Sequence, residues 1–164
     1  MAVQQLWLEG RSKRRPDVIG FVNGIPLVFI KLKAHHRKIW VDYEYNLKDY
    51  KDTIPHLFHC NAFIILSNVI DSKIESVTSK FEHFNDWKRI EENQEGIVSQ
   101  TIIKGTCSEE RLMDLFENFI LFDTSIGSVI KLIAKNHQFI GVNKAVNLFA
   151  AMREQYKEGN VAKE

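Results

Sequence analysis

The chain has 164 residues, of which 45% are hydrophobic and 26% charged, enough apolar material for one core without disulfides or metal staples. A formal net charge of +1 excludes recognition of a polyanion by bulk charge, so any basic surface must be local. Cys60 and Cys107 are too far apart to suggest a disulfide framework, and there is neither a signal peptide nor a run of roughly eighteen apolar residues. The expectation is a soluble, cytoplasmic protein with no membrane contact.

In chain order, Val3 to Leu8 reads as a strand ended by Glu9-Gly10, and Arg11 to Arg15 as a polar, basic connection. Asp17 to Val22 and Ile25 to Leu32 read as two strands joined by Asn23-Gly24, a pair suited to a tight hairpin because both turn residues need positive φ. Pro26 to Ile30 is apolar without alternation, as in a strand covered on both faces. A helix is expected from Asp42 to Ile54, stopped by Pro55, and a central strand over Ala62 to Leu66. Asp71 to Trp87 has no clear period, and its Phe81, Phe84 and Trp87 suit packing. Three further helices are expected, over Ser108 to Phe122, Ser125 to His137 and Asn143 to Tyr156, the first with Ser108 at its N-cap. Phe122-Asp123-Thr124 is the one candidate joint. It divides the chain into a domain over 1–122 and a helical linker over 123–164.

The hairpin carries the chemistry. Asp17 opens one strand, and the next ends Lys31-Leu32-Lys33. With side chains alternating at period two, a carboxylate on the first strand faces positions 31 and 33 of the second. A Pro-Asp followed by acid–any–Lys is the arrangement with which nucleases hold Mg²⁺ and place a lysine by the attacking water. Here Pro16-Asp17 and Lys33 are present, and Lys31 occupies the acid's place.

Arg14 to Ile30 resembles the nuclease hairpin of the R (restriction and motor) subunits of type I restriction–modification enzymes. The similarity continues through Tyr50 to Phe58, Asn61 to Ser67, Arg111 to Phe122, His137-Gln138 and Val142 to Val146. It implies an α/β fold of the PD-(D/E)XK restriction-endonuclease-like type, a mixed central β-sheet flanked by helices. It further implies Mg²⁺-dependent cleavage of duplex DNA by a subunit that works with methylation and specificity subunits. By the same resemblance Asp17 is the metal-binding aspartate, the Leu32 backbone carbonyl a further ligand and Lys33 the catalytic lysine. Asn46 and Tyr50 match a glutamine and a tyrosine beside the active site. Arg11, Lys13, Arg14, Arg37 and Lys38, with His35 and His36 in the same loop, are candidate contacts to DNA phosphates.

Lys31 departs from the family's glutamate, since a positive charge removes a ligand and repels the cation, so Mg²⁺ is expected to bind weakly or not at all. Lys31 pairing with Asp17 would block the site outright. A migrated carboxylate, Asp42 on the helix or Glu9 on the preceding strand, would restore it, although Asp42 also suits a helix N-cap and Glu9 a turn. His137-Gln138 resembles the start of the motor lobe. The Gly-rich phosphate loop is absent from these 164 residues, so ATP belongs to the full-length family protein. His56, His59 and Cys60 lack the second pair that zinc would need.

Overall fold

The computed structural model describes residues 1–34, 36–68, 70–91, 97–125 and 127–161, with side chains for all of these except 42 and 158–161. The chain opens with β1 (Ala2–Gln4), which ends where Gln5 turns to a φ of 50°. A small hairpin of β2 (Leu8–Glu9) and β3 (Lys13–Arg14) follows. The expected strand from Val3 to Leu8 is therefore two strands in two sheets, and the basic connection contains one of its own. Next come β4 (Val18–Val22) and β5 (Ile25–Leu32), paired antiparallel across the Asn23-Gly24 turn, whose φ angles of 50° and 81° are those the dipeptide predicts.

The helical segment begins three residues before its expected start. It runs as α1 (Ile39–Val41), a π-wound stretch over Asp42–Leu47, and α2 (Lys48–Thr53). Asp42 lies inside it, so it is no N-cap. Pro55 starts a 3₁₀ turn, Pro55–Phe58, that leads to β6 (Phe63–Ser67). β5 and β6 run parallel, which requires such a crossover, and the crossover covers one face of the sheet. The segment without clear period resolves into β7 (Ser72–Glu75), a 3₁₀ turn at Phe81–His83 and β8 (Asn85–Asp86). The six-stranded sheet has the order β1-β4-β5-β6-β7-β8, antiparallel everywhere except at β5–β6.

β5 and β6 are buried on both faces, as their unbroken apolar runs imply. Ile19, Phe29, Ile64 and Leu66 pack beneath the crossover with Leu47, Ile54 and Phe58. Val28, Ile30, Phe63, Ile65 and Ile74 face the other way. That second face is closed by α3 (Val98–Cys107), α4 (Glu109–Asn118) and the start of α5 (Asn136–Val161), through Ile102, Leu115 and Phe139. Helices on both faces of a mixed sheet are the restriction-endonuclease-like architecture.

Ser108 has the extended backbone of an N-cap before α4 but makes no side-chain cap bond. α4 ends at Asn118, earlier than expected. The helix expected over Ser125 to His137 is absent. Instead β9 (Ile120–Asp123) and β10 (Ile130–Ile133) form an antiparallel hairpin. Its position is set from outside: Ser76 Oγ donates to the Lys131 carbonyl at 2.6 Å, and the Lys131 N–H donates to Thr78 Oγ1 at 2.9 Å. The expected helix at Asn143 to Tyr156 is part of α5, whose Phe139 packs on Phe119 and Trp87 in the same core as β6.

Candidate functional site

The register of the hairpin decides the site. Val18 lies opposite Ile30, so Asp17, one residue ahead of β4, arrives beside Lys31. The Lys31 ammonium sits 3.0 Å from Asp17 Oδ2, and the Leu32 N–H donates to the same oxygen at 2.8 Å. Lys31 is 8% exposed, an unusual depth for a lysine. Its charge is met on the other side by the Tyr50 ring, whose centroid lies 5.4 Å from Nζ. Tyr50 is itself fixed, with its hydroxyl donating to the Arg15 carbonyl at 3.1 Å and its ring edge-on to Phe29 at 5.4 Å. Asp17, Lys31 and Tyr50 thus form one ordered cluster tied to the segment just before Asp17.

Lys33 follows two residues beyond Lys31, past the end of β5, where its N–H donates to the Ser67 carbonyl at 2.8 Å. This bond continues the β5–β6 ladder and fixes the backbone from which the lysine projects. Leu32 meets Asp17 through its N–H. Asn46 is half-buried in the π-wound stretch, ahead of Tyr50 in α2. The Asp42 side chain lies outside the described part of the structure. Glu9 is exposed on β2, opposite Lys13. Among the described residues there is no group of three His, Cys, Asp or Glu side chains placed to hold a metal ion. His56, His59 and Cys60 are exposed along and just after the Pro55–Phe58 turn.

The five basic candidates divide. Arg14 is engaged internally, with Nη2 2.6 Å from Asp49 Oδ1 and Nε donating to Thr53 Oγ1 at 3.1 Å, so it fastens β3 to α2. Arg11, Lys13, Arg37 and Lys38 are exposed. Of the neighbouring histidines, His36 is exposed and His35 lies outside the described residues. Sequence reasoning missed what holds the loop after Lys33. Buried Asn68 donates through Nδ2 to the Arg37 carbonyl at 2.7 Å and accepts from the Asp71 N–H at 2.8 Å. No local signal marks that asparagine, because its partner is 31 residues away.

This geometry sets a mostly buried ion pair in a strand that runs on to Lys33, whose backbone is fixed, and to the exposed cations Arg37 and Lys38. None of the described helices is long and apolar enough to cross a membrane. The sequence is 37% identical over 158 residues to the type I restriction enzyme HindI endonuclease subunit of Haemophilus influenzae, a match covering 90% of this chain and 15% of that protein. It is 25% identical over 168 residues to the putative type I restriction enzyme MjaIXP endonuclease subunit of Methanocaldococcus jannaschii, covering 87% and 15% respectively. The chain therefore spans about 15% of the length of these curated relatives. Residues 1–83, which contain the whole Asp17–Lys33 hairpin, the helical crossover and β6, match the sequence profile of the type I restriction enzyme R protein N terminus, and the chain belongs to that family.

Proposed function

We propose that this chain is the nuclease-fold piece of a type I restriction R subunit in which Mg²⁺-dependent cleavage of duplex DNA is weakened or lost, while contact with DNA is retained. The observation that carries this reading is the Lys31–Asp17 pair at 3.0 Å. A hard divalent cation is held by several oxygens, carboxylates foremost. Here the carboxylate that would lead the set already accepts from an ammonium and a backbone N–H on one oxygen. A cation entering there would have to displace Lys31 or lie against its like charge. The donor set does not fit Mg²⁺. Lys33, its backbone fixed by Ser67, would be the lysine that meets a phosphate, and Arg37 and Lys38 follow on the same connection. In the complete subunit the piece would act beside an ATP-driven motor, with methylation and specificity subunits as partners. The alternative reading, a module that only binds DNA and couples it to the motor, differs in having no residual cleavage.

The test is cleavage of supercoiled plasmid by the complete subunit in its complex, with Mg²⁺ or Mn²⁺, comparing the unaltered sequence with Lys31→Glu. Little or no cutting by the first and restored cutting by the second is the expected result. Equal cutting by both sinks the proposal, and loss of that cutting on Asp42→Ala would identify a migrated carboxylate.

A further inference from the structure

The π-wound stretch has a consequence beyond the Asp17–Lys31 site. In an α-helix residues three or four apart are neighbours, whereas a π-helix bonds i to i+5 and sets residues five apart on one side. Trp40, in α1 just ahead of this stretch, and Tyr45, within it, are five apart, and their ring centroids lie 6.3 Å from each other at an interplanar angle of 34°. Both rings face solvent, 48% and 65% exposed. Single turns of π-helix are rare and concentrate at functional positions, and this one begins between two exposed rings set beside each other, a surface suited to a flat ligand.

The surroundings say which ligand. Arg37 and Lys38, both exposed, immediately precede the rings, and Asn68 pins the Arg37 carbonyl so that the cations leave a fixed backbone. The carboxylate next to Tyr45, Glu44, is paired with Lys48 one turn on. Exposed aromatic faces beside cations are how proteins hold unpaired nucleic-acid strands, the bases stacking on the rings while the cations meet the phosphates. Duplex DNA hides its base faces inside the stack and offers nothing to the rings.

We propose that Trp40 and Tyr45 form a stacking platform for an unpaired DNA base, with Arg37 and Lys38 on the adjoining phosphates. The proposal rests on the nucleic-acid reading above and adds to it a single-stranded ligand. It is tested by binding of a short single-stranded oligothymidylate to the chain carrying Trp7→Phe. That background leaves Trp40 as the exposed indole, since Trp87 is buried. The oligonucleotide should quench the Trp40 fluorescence, and the same oligonucleotide made abasic should not. Trp40→Ala or Tyr45→Ala should weaken binding between about fivefold and about a hundredfold, with Trp40→Phe retaining most of it. The slope of log K against log salt should stay unchanged in these variants, because no cation is removed, and should fall in Arg37→Gln/Lys38→Gln. Unchanged affinity in both alanine variants, or abasic strands binding as tightly as base-bearing ones, overturns the platform alone. Failure of the unaltered chain to bind either single- or double-stranded DNA overturns the nucleic-acid reading itself.

Discussion

Replacing Lys31 with glutamate reverses a charge at a position 8% exposed, 3.0 Å from a carboxylate. At that separation and an effective dielectric constant of about 20, the present attraction is roughly 5 kcal/mol before desolvation is subtracted. Removing one partner of a buried pair costs about 3–5 kcal/mol. The Asp17 side chain is 27% exposed, so water screens it partly and the lower end, about 3 kcal/mol, is expected. For a chain of this size that corresponds to a fall in Tm of about 6–12 °C. Two carboxylates now face each other, the arrangement that a divalent cation stabilises. Mg²⁺ or Mn²⁺ at a hundred times its Kd should return about 2.7 kcal/mol, nearly the whole loss. The assay is thermal unfolding of both proteins in chelator and in excess divalent cation. The unaltered protein should be indifferent to the metal, and the variant should be low in chelator and recover with it. A metal-dependent rise in the unaltered protein would refute the reasoning, as would a variant unaffected by chelator.

Three further predictions concern what holds the site's frame. A Cβ added at Gly105 would lie 2.3 Å from Trp87 Nε1, and Trp87 is 1% exposed with little freedom to retreat, so Gly105→Ala should lower stability by about 1–3 kcal/mol in denaturant unfolding. Asn61 is buried and donates to the Leu27 and Phe63 carbonyls at 3.1 and 3.0 Å, bridging the N-terminal ends of β5 and β6; Asn61→Ala should cost about 1–3 kcal/mol by the same measurement. Burial raises the Glu75 carboxyl above the usual glutamate range, opposed by bonds from the Ser76 N–H and the Ser79 and Asn85 side chains. Because the folded state then holds the proton more tightly than the unfolded state, Glu75 favours folding most at low pH, and that contribution is lost as pH rises through the raised value. Glu75→Gln should therefore flatten the decline in stability above the usual glutamate range, and an unchanged pH profile would count against it.

Much of the sheet was legible locally. Asn23-Gly24 specifies its turn by its own backbone preferences, and the apolar runs of β5 and β6 announce strands buried on both sides. Asp17 and Lys31 could be expected to meet, since alternation and the hairpin register are short-range properties. Between Ser125 and His137 the local signal misled. The apolar residues there fit helical spacing, but Lys131 gives both its backbone groups to Ser76 and Thr78, more than fifty residues back, and Ile133 enters the shared core. The π winding of Asp42–Leu47 is likewise unannounced by any residue pattern, although its Tyr43 and Leu47 join the core beneath the sheet with Phe29 and Ile64. Residue identities placed a lysine at position 31, on the strand that faces Asp17. Whether it would swing to solvent or close on Asp17 depended on burial, on the Tyr50 ring and on the Leu32 N–H. Only the tertiary structure supplies those, because the Tyr50 ring and the residues that bury Lys31 come from other segments of the chain, and the Leu32 N–H reaches Asp17 only once β4 and β5 have paired.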